Sequence, residues 1–262
     1  AGFIDGRVVL AAQSRLRLVG RALDGPGHRM DLPTLPLRRA SGGPPEEPTV
    51  VLDLPDRLVL HKPPGWEAER SARDGSAAAE AEGEAHGQLL RALLARFPVR
   101  RCWPIVGDAE HHHGLLHRLD VPSSGLLLVA KSYTAYYDLR LQLSSGGLVR
   151  DYLVLCHGHV PPERREVSAR IASTSTAPRP GEVAASGKPS VTRLKVVAHA
   201  WRSGLPFTLV AVRIVTGRRH QIRVHLQHIG HPTVCDGKYT PSEVFRADSE
   251  WCPRNFLHRY RL

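Results

Sequence analysis

Several features that mark other classes of protein are scarce in this 262-residue sequence. It has four cysteines, and no two stand at the close spacing of metal sites or redox motifs. No apolar run is long enough to cross a membrane, and the chain is long enough to bury a core without disulfides. The sequence therefore predicts reduced thiols and a protein that works inside the cell, in the cytoplasm or in an organelle (mitochondrion or plastid), with no membrane partner.

Acidic residues are also in short supply. The 25 Asp and Glu are outnumbered by 36 Lys and Arg, which gives a formal net charge of +11. A surplus of this size favours a polyanionic partner, and nucleic acid is the first candidate. The alternative is that the arginines reflect an organellar or GC-rich genome and bind nothing.

A metal site is not expected. Asp108-Ala109-Glu110-His111-His112-His113 contains suitable ligand types. Consecutive histidines on an irregular segment cannot all face one ion, and no further ligands follow at a regular spacing. We therefore predict no metal and no other cofactor.

Proline and glycine divide the chain into an N-terminal appendage of unreadable role, residues 1–47, and a compact unit, residues 48–262. Residues 49–52 and 57–61 alternate like paired strands, and Lys62-Pro63-Pro64-Gly65-Trp66 predicts a rigid loop that presents a lysine and an aromatic ring. Further along, apolar periodicity predicts helices and strands between surface loops. The loops are 67–84 and 161–189, the helices 88–97 and 133–143 (with Ser132 as a cap), and the strands 148–156, 191–199 and 207–215.

The stretch from His117 to Lys131 holds one carboxylate, Asp120, beside Arg118 and directly before a turn. The turn residues Pro122-Ser123-Ser124-Gly125 precede an apolar run, residues 126–130, that is typical of a buried strand. A carboxylate fixed in this way and kept ionised by an arginine can act as a nucleophile or as a base. The alternative is a solvated loop with a local Arg–Asp pair.

A second candidate stretch, residues 216–230, passes from the end of a strand into a helix. Ile222, Leu226 and Ile229 recur at core spacing, while Arg219 and Arg223 are four residues apart and would share a cationic face. Arginine matches carboxylate and phosphate geometry, so this helix could pair with a carboxylate or grip a nucleic-acid backbone. A solvated basic helix is the alternative.

These stretches resemble the motifs of the RluA-type pseudouridine synthases. His117-Arg118-Leu119-Asp120 with Ser123-Ser124-Gly125 is similar to the catalytic H-R-L-D-x-x-T-S-G motif, and Tyr152 matches the active-site tyrosine. Residues 216–225 resemble the third motif, whose final arginine is Arg223, and Lys62-Pro63-Pro64-Gly65 resembles K-P-x-G. The segments Gly230-His231-Pro232 and Asp236-Gly237-Lys238-Tyr239 resemble the stretch after motif three, and all matches follow the family's order.

The resemblance implies an α+β fold with a mixed, mainly antiparallel central sheet flanked by helices. It implies that uridine in rRNA or tRNA is isomerised to pseudouridine by a chain that acts as a monomer unless it is part of a ribonucleoprotein. Asp120 would be catalytic, Arg223 would pair with it, and Tyr152 would stack on the uracil. The RNA-binding candidates are Arg118, Arg218, Arg219, His220 and Gln221. A non-catalytic RNA-binding or assembly component with the same fold is the alternative.

Some positions depart from the family pattern. Ser123 replaces a threonine, Arg150-Asp151 stands where lysine is common, and Cys235 replaces a glycine. The sequence ends at Phe256-Leu257-His258-Arg259-Tyr260-Arg261-Leu262, where the family normally continues into a last strand, which leaves the completeness of the sheet open but not the identity of the site.

Overall fold

The structure is a computed structural model that describes residues 29–31, 46–67, 89–96, 103–172 and 181–262. The strands in these ranges are β1 Arg29–Asp31, β2 Thr49–Asp53, β3 Arg57–Lys62, β4 Ser124–Ala130, β5 Asp151–His157, β6 Glu166–Ser168, β7 Ile171–Ala172, β8 Glu182–Val183, β9 Val191–Arg202, β10 Leu205–Ile214 and β11 Leu257–Arg261. The α-helices are α1 Leu89–Arg96, α2 Tyr133–Ser144, α3 Gln221–His228 and α4 Ser242–Ser249, and 3-10 helices span Pro104–Gly107 and His112–Gly114.

The described residues fall into two compact units. We call the unit that contains Asp120 the aspartate unit; its described parts lie in residues 46–153, 213–215 and 257–262. The unit that contains Arg223 is the arginine unit, with described parts in residues 29–31, 154–212 and 216–256. The predicted division into an appendage, 1–47, and a catalytic domain, 48–262, stays a prediction, although Arg29–Asp31 pairs in parallel with β9.

In the aspartate unit the strands follow the order β5-β11-β4-β3-β2. β2, β3 and β4 pair antiparallel, and β11 joins β4 in parallel. The apolar run after Asp120 forms β4 as predicted, because Leu127, Val129 and Ala130 are buried and the indole of Trp103 donates to the Ala130 carbonyl at 3.0 Å. Against this strand lies α2, where Ser132 is the predicted cap and accepts from the Ala135 N–H at 3.2 Å.

The arginine unit is built on β1-β9-β10-β5, with β6 also paired to β9. α3 packs against β8 and β9. Its Val224 also belongs to an apolar cluster with Ile171 of β7 and Tyr239. Its buried Ile222 and Leu226 are the core residues that the sequence predicts. The arginine unit therefore holds α3 by contacts with β8 and β9, which precede the helix in the sequence, and with Tyr239, which follows it.

Two sequence expectations about strands are wrong. The strand expected at 148–156 begins only at Asp151, because residues 148–150 do not join the ladder. The loop expected at 161–189 contains three short strands in its described part, β6, β7 and β8. At the other end of the described sequence, Leu257–Arg261 forms β11, with His258 opposite Ser124 and Arg259 opposite Gly125. Leu257 and Arg259 are buried on this short strand, although two basic residues and a tyrosine give it a polar sequence.

Candidate active site

The loop that carries Asp120 is held at both ends. The Ser123 N–H donates to the Asp120 carbonyl at 3.0 Å, which closes the predicted turn. After the turn, Gly125 has φ +126°, and a Cβ there would lie 2.2 Å from the Arg259 carbonyl oxygen. Only glycine lets β11 approach this closely, so the Ser-Ser-Gly sequence fits the loop directly onto β4 and β11. Asp120 itself is half-buried.

Lys62 supports the same loop from the K-P-x-G segment. Its ammonium donates to the carbonyls of Pro63 at 3.0 Å, Trp66 at 2.9 Å and Val121 at 3.3 Å. The Gly65 N–H also donates to the Val121 carbonyl, at 2.8 Å. The expectation of a presented lysine is wrong, because Lys62 is fully buried and uses its charge to fix the residue that follows Asp120.

Tyr152 is the second residue of β5 and is 4% exposed. Its hydroxyl oxygen accepts from Nε of Arg259 at 2.8 Å and also from Nη2 of the same guanidinium. The guanidinium carbon lies 4.9 Å from the centroid of the Tyr152 ring. The sequence analysis did not identify Arg259. A signal was present, because on a short strand Arg259 lies two residues after the apolar Leu257 and therefore on the same face.

His117 and Arg118, the first residues of the H-R-L-D motif, lie in different environments. His117 Nδ1 accepts from Arg259 Nη1 at 2.8 Å. Burial, together with the positive charges of Arg259 and Arg150, holds the pKa of His117 well below its usual range. His117 is therefore neutral, with its hydrogen on Nε2, whereas Arg118 is exposed and accessible to a ligand.

Arg150 adds a second buried cation near Tyr152. It is 8% exposed, and its Nη2 donates to the Val215 carbonyl at 3.2 Å. Burial lowers the pKa of its guanidinium, and the neighbouring charge of Arg259 lowers it further. The adjacent Asp151 is held instead by Arg213, which donates from Nε and Nη2 at 2.6 and 2.8 Å.

In the arginine unit, Arg223 is buried and forms a two-bond pair with Asp236. Nε donates to one carboxylate oxygen at 2.7 Å and Nη2 to the other at 2.6 Å. Burial alone would raise the pKa of Asp236, but the hydrogen bonds and charge of Arg223 outweigh it and lower the pKa. The Tyr239 ring lies beneath the guanidinium, 4.9 Å from its carbon. The predicted pairing of Arg223 with Asp120 stays a prediction.

The RNA-binding candidates of the third motif separate into two groups. Arg218 and Arg219 are exposed, and His220 is half-buried with φ +55° and bonds the Tyr239 hydroxyl at 2.9 Å. Gln221 is 3% exposed, and its amide bonds residues of the preceding turn and of β9. The assignment of Gln221 to RNA binding stays a prediction, and in this structure both the oxygen and the nitrogen of its amide already bond protein groups.

The cationic helix face expected from Arg219 and Arg223 is also absent from this part of the chain. Arg219 lies in the turn before α3, which begins at Gln221, and Arg223 points into the core. His225, two residues on, is fully buried and bonds Thr192 Oγ1 at 2.9 Å. The helix is thus a buried element, and the exposed cations belong to the turn that precedes it.

The departure at Cys235 has a conformational explanation. Cys235 has φ +56°, a left-handed backbone that glycine adopts without strain. Its N–H donates to Asp248 at 2.7 Å, and this bond holds the residue in place immediately before Asp236.

Among the described residues, no group of three or more His, Cys, Asp and Glu side chains is arranged to hold a metal ion. No helix in those same ranges is long and apolar enough to cross a membrane.

A mixed sheet with an aspartate on a glycine-fixed loop before one strand and a tyrosine at the start of another is the arrangement that the resemblance to the pseudouridine synthases predicts. The model of the RNA pseudouridylate synthase family matches residues 56–228, a range that contains Asp120, Tyr152 and Arg223. The chain belongs to this family, within its RluA-type members.

Individual relatives agree with this membership. The chain is 34% identical over 216 residues to ribosomal large subunit pseudouridine synthase D of Nitrosomonas europaea, covering 81% of this chain and 54% of that protein. It is 40% identical over 153 residues to ribosomal large subunit pseudouridine synthase C of Escherichia coli, covering 56% and 47%. The chain thus spans about half the length of these curated relatives.

A solved structure supports the same fold. Human RNA pseudouridylate synthase domain containing 1 is similar with a TM-score of 0.60 and 27% identity, covering 83% of this chain and 78% of that one. The α+β fold with a mixed, mainly antiparallel sheet is confirmed.

Proposed function

We propose that this chain is an RNA pseudouridine synthase that isomerises specific uridines in structured RNA, with Asp120 as its catalytic residue. The observation that carries the proposal is the fixed H-R-L-D loop, in which Lys62 and Gly65 hold the Val121 carbonyl beside Asp120. A side chain held on a packed loop is pre-organised for reaction, whereas a solvated loop carboxylate is not. The loop lies inside the range that matches the family.

The reaction is balanced without any added group. The N-glycosidic bond of uridine breaks, the uracil rotates, and its C5 bonds to the ribose carbon. C5 loses its proton and N1 gains one, so no oxidant, metal or energy source is consumed. Asp120 starts the reaction as nucleophile or as base, Tyr152 stacks on the uracil, and the role proposed for Arg223 is to orient Asp120.

RNA fits the charge of the chain. The net charge of +11 and the exposed Arg118, Arg218 and Arg219 suit a phosphate backbone. A uridine inside a duplex is out of reach, so the base is flipped out and Arg118 fills the space it leaves. We propose rRNA as the first substrate because the two curated relatives are named for the large ribosomal subunit, with tRNA as the second candidate.

Release of the C5 hydrogen gives a direct test. The protein is incubated with rRNA or tRNA that carries tritium at C5 of uridine, and tritium in water is counted. Asp120→Asn should release none while binding RNA as the wild type does in a filter assay. Asp138→Asn, an exposed carboxylate on α2, is the matched control and should stay active.

The non-catalytic alternative predicts a different result. A wild type that binds RNA tightly and releases no tritium from any rRNA or tRNA would be an assembly component, and the catalytic proposal would be rejected. Normal release by Asp120→Asn would reject the role of Asp120.

A further inference from the structure

Arg259 is a buried cation without a carboxylate partner among the described residues. It is 2% exposed, and its contacts are the Tyr152 hydroxyl, His117 and the Leu126 carbonyl. A buried guanidinium held only by neutral acceptors recovers little of its lost hydration. Apolar side chains would fill this position at lower cost, so its presence calls for a role other than stability.

The bonding of Arg259 constrains where hydrogens lie. A guanidinium only donates, so the phenol oxygen of Tyr152 accepts two N–H bonds from Nε and Nη2. The phenol hydrogen must then point away from Arg259. His117 must likewise accept at Nδ1, which agrees with a neutral imidazole. Arg259 thereby fixes the direction in which the Tyr152 hydroxyl can donate and the tautomer of His117.

The backbone of Arg259 is fixed as firmly as its side chain. Arg259 pairs with Gly125 in the parallel ladder of β11 and β4, and the glycine has no Cβ to hold the strands apart. Gly125 follows the turn that begins at Asp120, and His117 begins the H-R-L-D motif. The Tyr152 hydroxyl is thus connected through Arg259 to both ends of the loop that carries Asp120.

We infer that Arg259 is a positioning residue for the Tyr152 phenol, which it holds with the hydroxyl hydrogen directed away from the guanidinium, and that His117 locks Arg259 in this orientation. The inference rests on the proposed function where it concerns catalysis. Arg259 touches neither substrate nor reacting atoms, and its effect on the reaction passes through Tyr152.

A double-mutant cycle measures this dependence. In the wild-type background Arg259→Gln should lower kcat for pseudouridine formation about tenfold or more and change KM for RNA less than about threefold. In a Tyr152→Phe background, which lacks the hydroxyl, the same change should lower kcat by less than about threefold. Arg259→Lys keeps the charge but not the fork and should recover part of the activity.

Arg261→Gln is the matched control. It makes the same substitution two residues along β11 at a guanidinium that is largely exposed. Its kcat should equal that of the wild type. Thermal melting checks that each variant is folded, and Arg259→Lys replaces Arg259→Gln in the cycle if the glutamine variant is not.

A second readout does not require activity. Tyrosine labelled with carbon-13 at Cζ reports hydrogen bonding at the phenol by NMR, and Tyr152→Phe identifies the Tyr152 signal among the six tyrosines. Arg259→Gln should move that signal and Arg261→Gln should not. An unmoved signal, or an equal loss of kcat in both backgrounds, would overturn the inference. An inactive wild type in which the signal still moves would reject the proposed function and leave Arg259 as the residue that positions Tyr152.

Discussion

The guanidinium of Arg223 and the carboxylate of Asp236 form a pair that is closed to solvent, with side chains 3% and 0% exposed. Thr233 Oγ1 also donates to Asp236, at 2.9 Å, and the Lys238 N–H donates at 3.1 Å. Both oxygens of the Asp236 carboxylate therefore accept hydrogen bonds, from Arg223 and from these two further donors. This two-bond pair fixes the orientation of the Arg223 guanidinium, on which any function of Arg223 depends.

Asp236→Asn should destabilise the protein strongly. The change removes the carboxylate of a buried ion pair with Arg223, and breaking a buried pair typically costs about 3–5 kcal/mol. Glu166→Gln is the control, since it makes the same acid-to-amide change in an exposed pair with Arg193, worth about 0–1 kcal/mol. Urea denaturation compares the two free energies of unfolding. Equal values would mean that the buried pair contributes no more than the surface one.

Gly125→Ala should also be severe. The added Cβ would meet the Arg259 carbonyl oxygen at 2.2 Å and its nitrogen at 2.5 Å, and neither backbone atom can move without breaking the ladder. We expect a loss of more than about 3 kcal/mol in the free energy of unfolding. Gly107→Ala adds the same methyl group where nothing lies within 4 Å and should be nearly neutral. If both variants unfold at the same urea concentration, β11 does not lie against β4 as described.

Stability should fall as the pH drops below about 6.5. The pKa of His117 is well below its usual range in the folded chain, so the unfolded chain binds the proton first. The contribution of His117 is complete above about pH 6.5 and is lost as the pH falls toward the folded-state pKa. Burial lowers the pKa of His225 and His199 as well, and both add to the same decline.

His117→Gln tests this share of the decline. Glutamine can still accept from Arg259 but does not titrate, so free energies of unfolding between pH 7 and pH 5 should fall less steeply, by up to about 1.4 kcal/mol per pH unit. His112→Gln, which makes the same substitution at an exposed histidine, is the control. A slope that is the same in all three proteins would show that His117 takes up its proton equally in both states.

Local sequence features predicted local structure well in this chain. The apolar run after Asp120 gave β4, and Ser132 capped α2, because both signals depend on residues a few positions apart. Contacts between distant segments were not readable. Arg259 meets Tyr152 across 107 positions and Lys62 meets Val121 across 59, and no periodicity records such partners.

The sequence analysis also assigned buried charged and polar side chains to the surface. Lys62 and Arg223 look like surface residues in the sequence, yet both are buried. Lys62 has carbonyl groups as partners, and Arg223 has a carboxylate. Gln221 looked like a ligand-binding amide because it stands among basic residues, but the strand beside it uses its donors. A polar side chain is assigned to solvent by default, and only its tertiary partners overturn that assignment.

Arg218 and Arg219 are the exposed cations through which the third motif should meet RNA. The Arg218 guanidinium donates weakly to the Pro189 carbonyl, at 3.4 Å from Nε and Nη2, so it keeps donors for a phosphate. Replacing both by glutamine should weaken RNA binding and reduce the dependence of log K on log salt by about 0.7–0.9 for each lost phosphate contact. Arg193→Gln, at an exposed arginine paired with Glu166, is the control. Filter binding between 50 and 200 mM salt, roughly the range over which such contacts change affinity most visibly, gives the slopes. An unchanged slope in the double variant would remove this turn from the RNA interface and leave Arg118 as the exposed cation of the candidate site to be tested next.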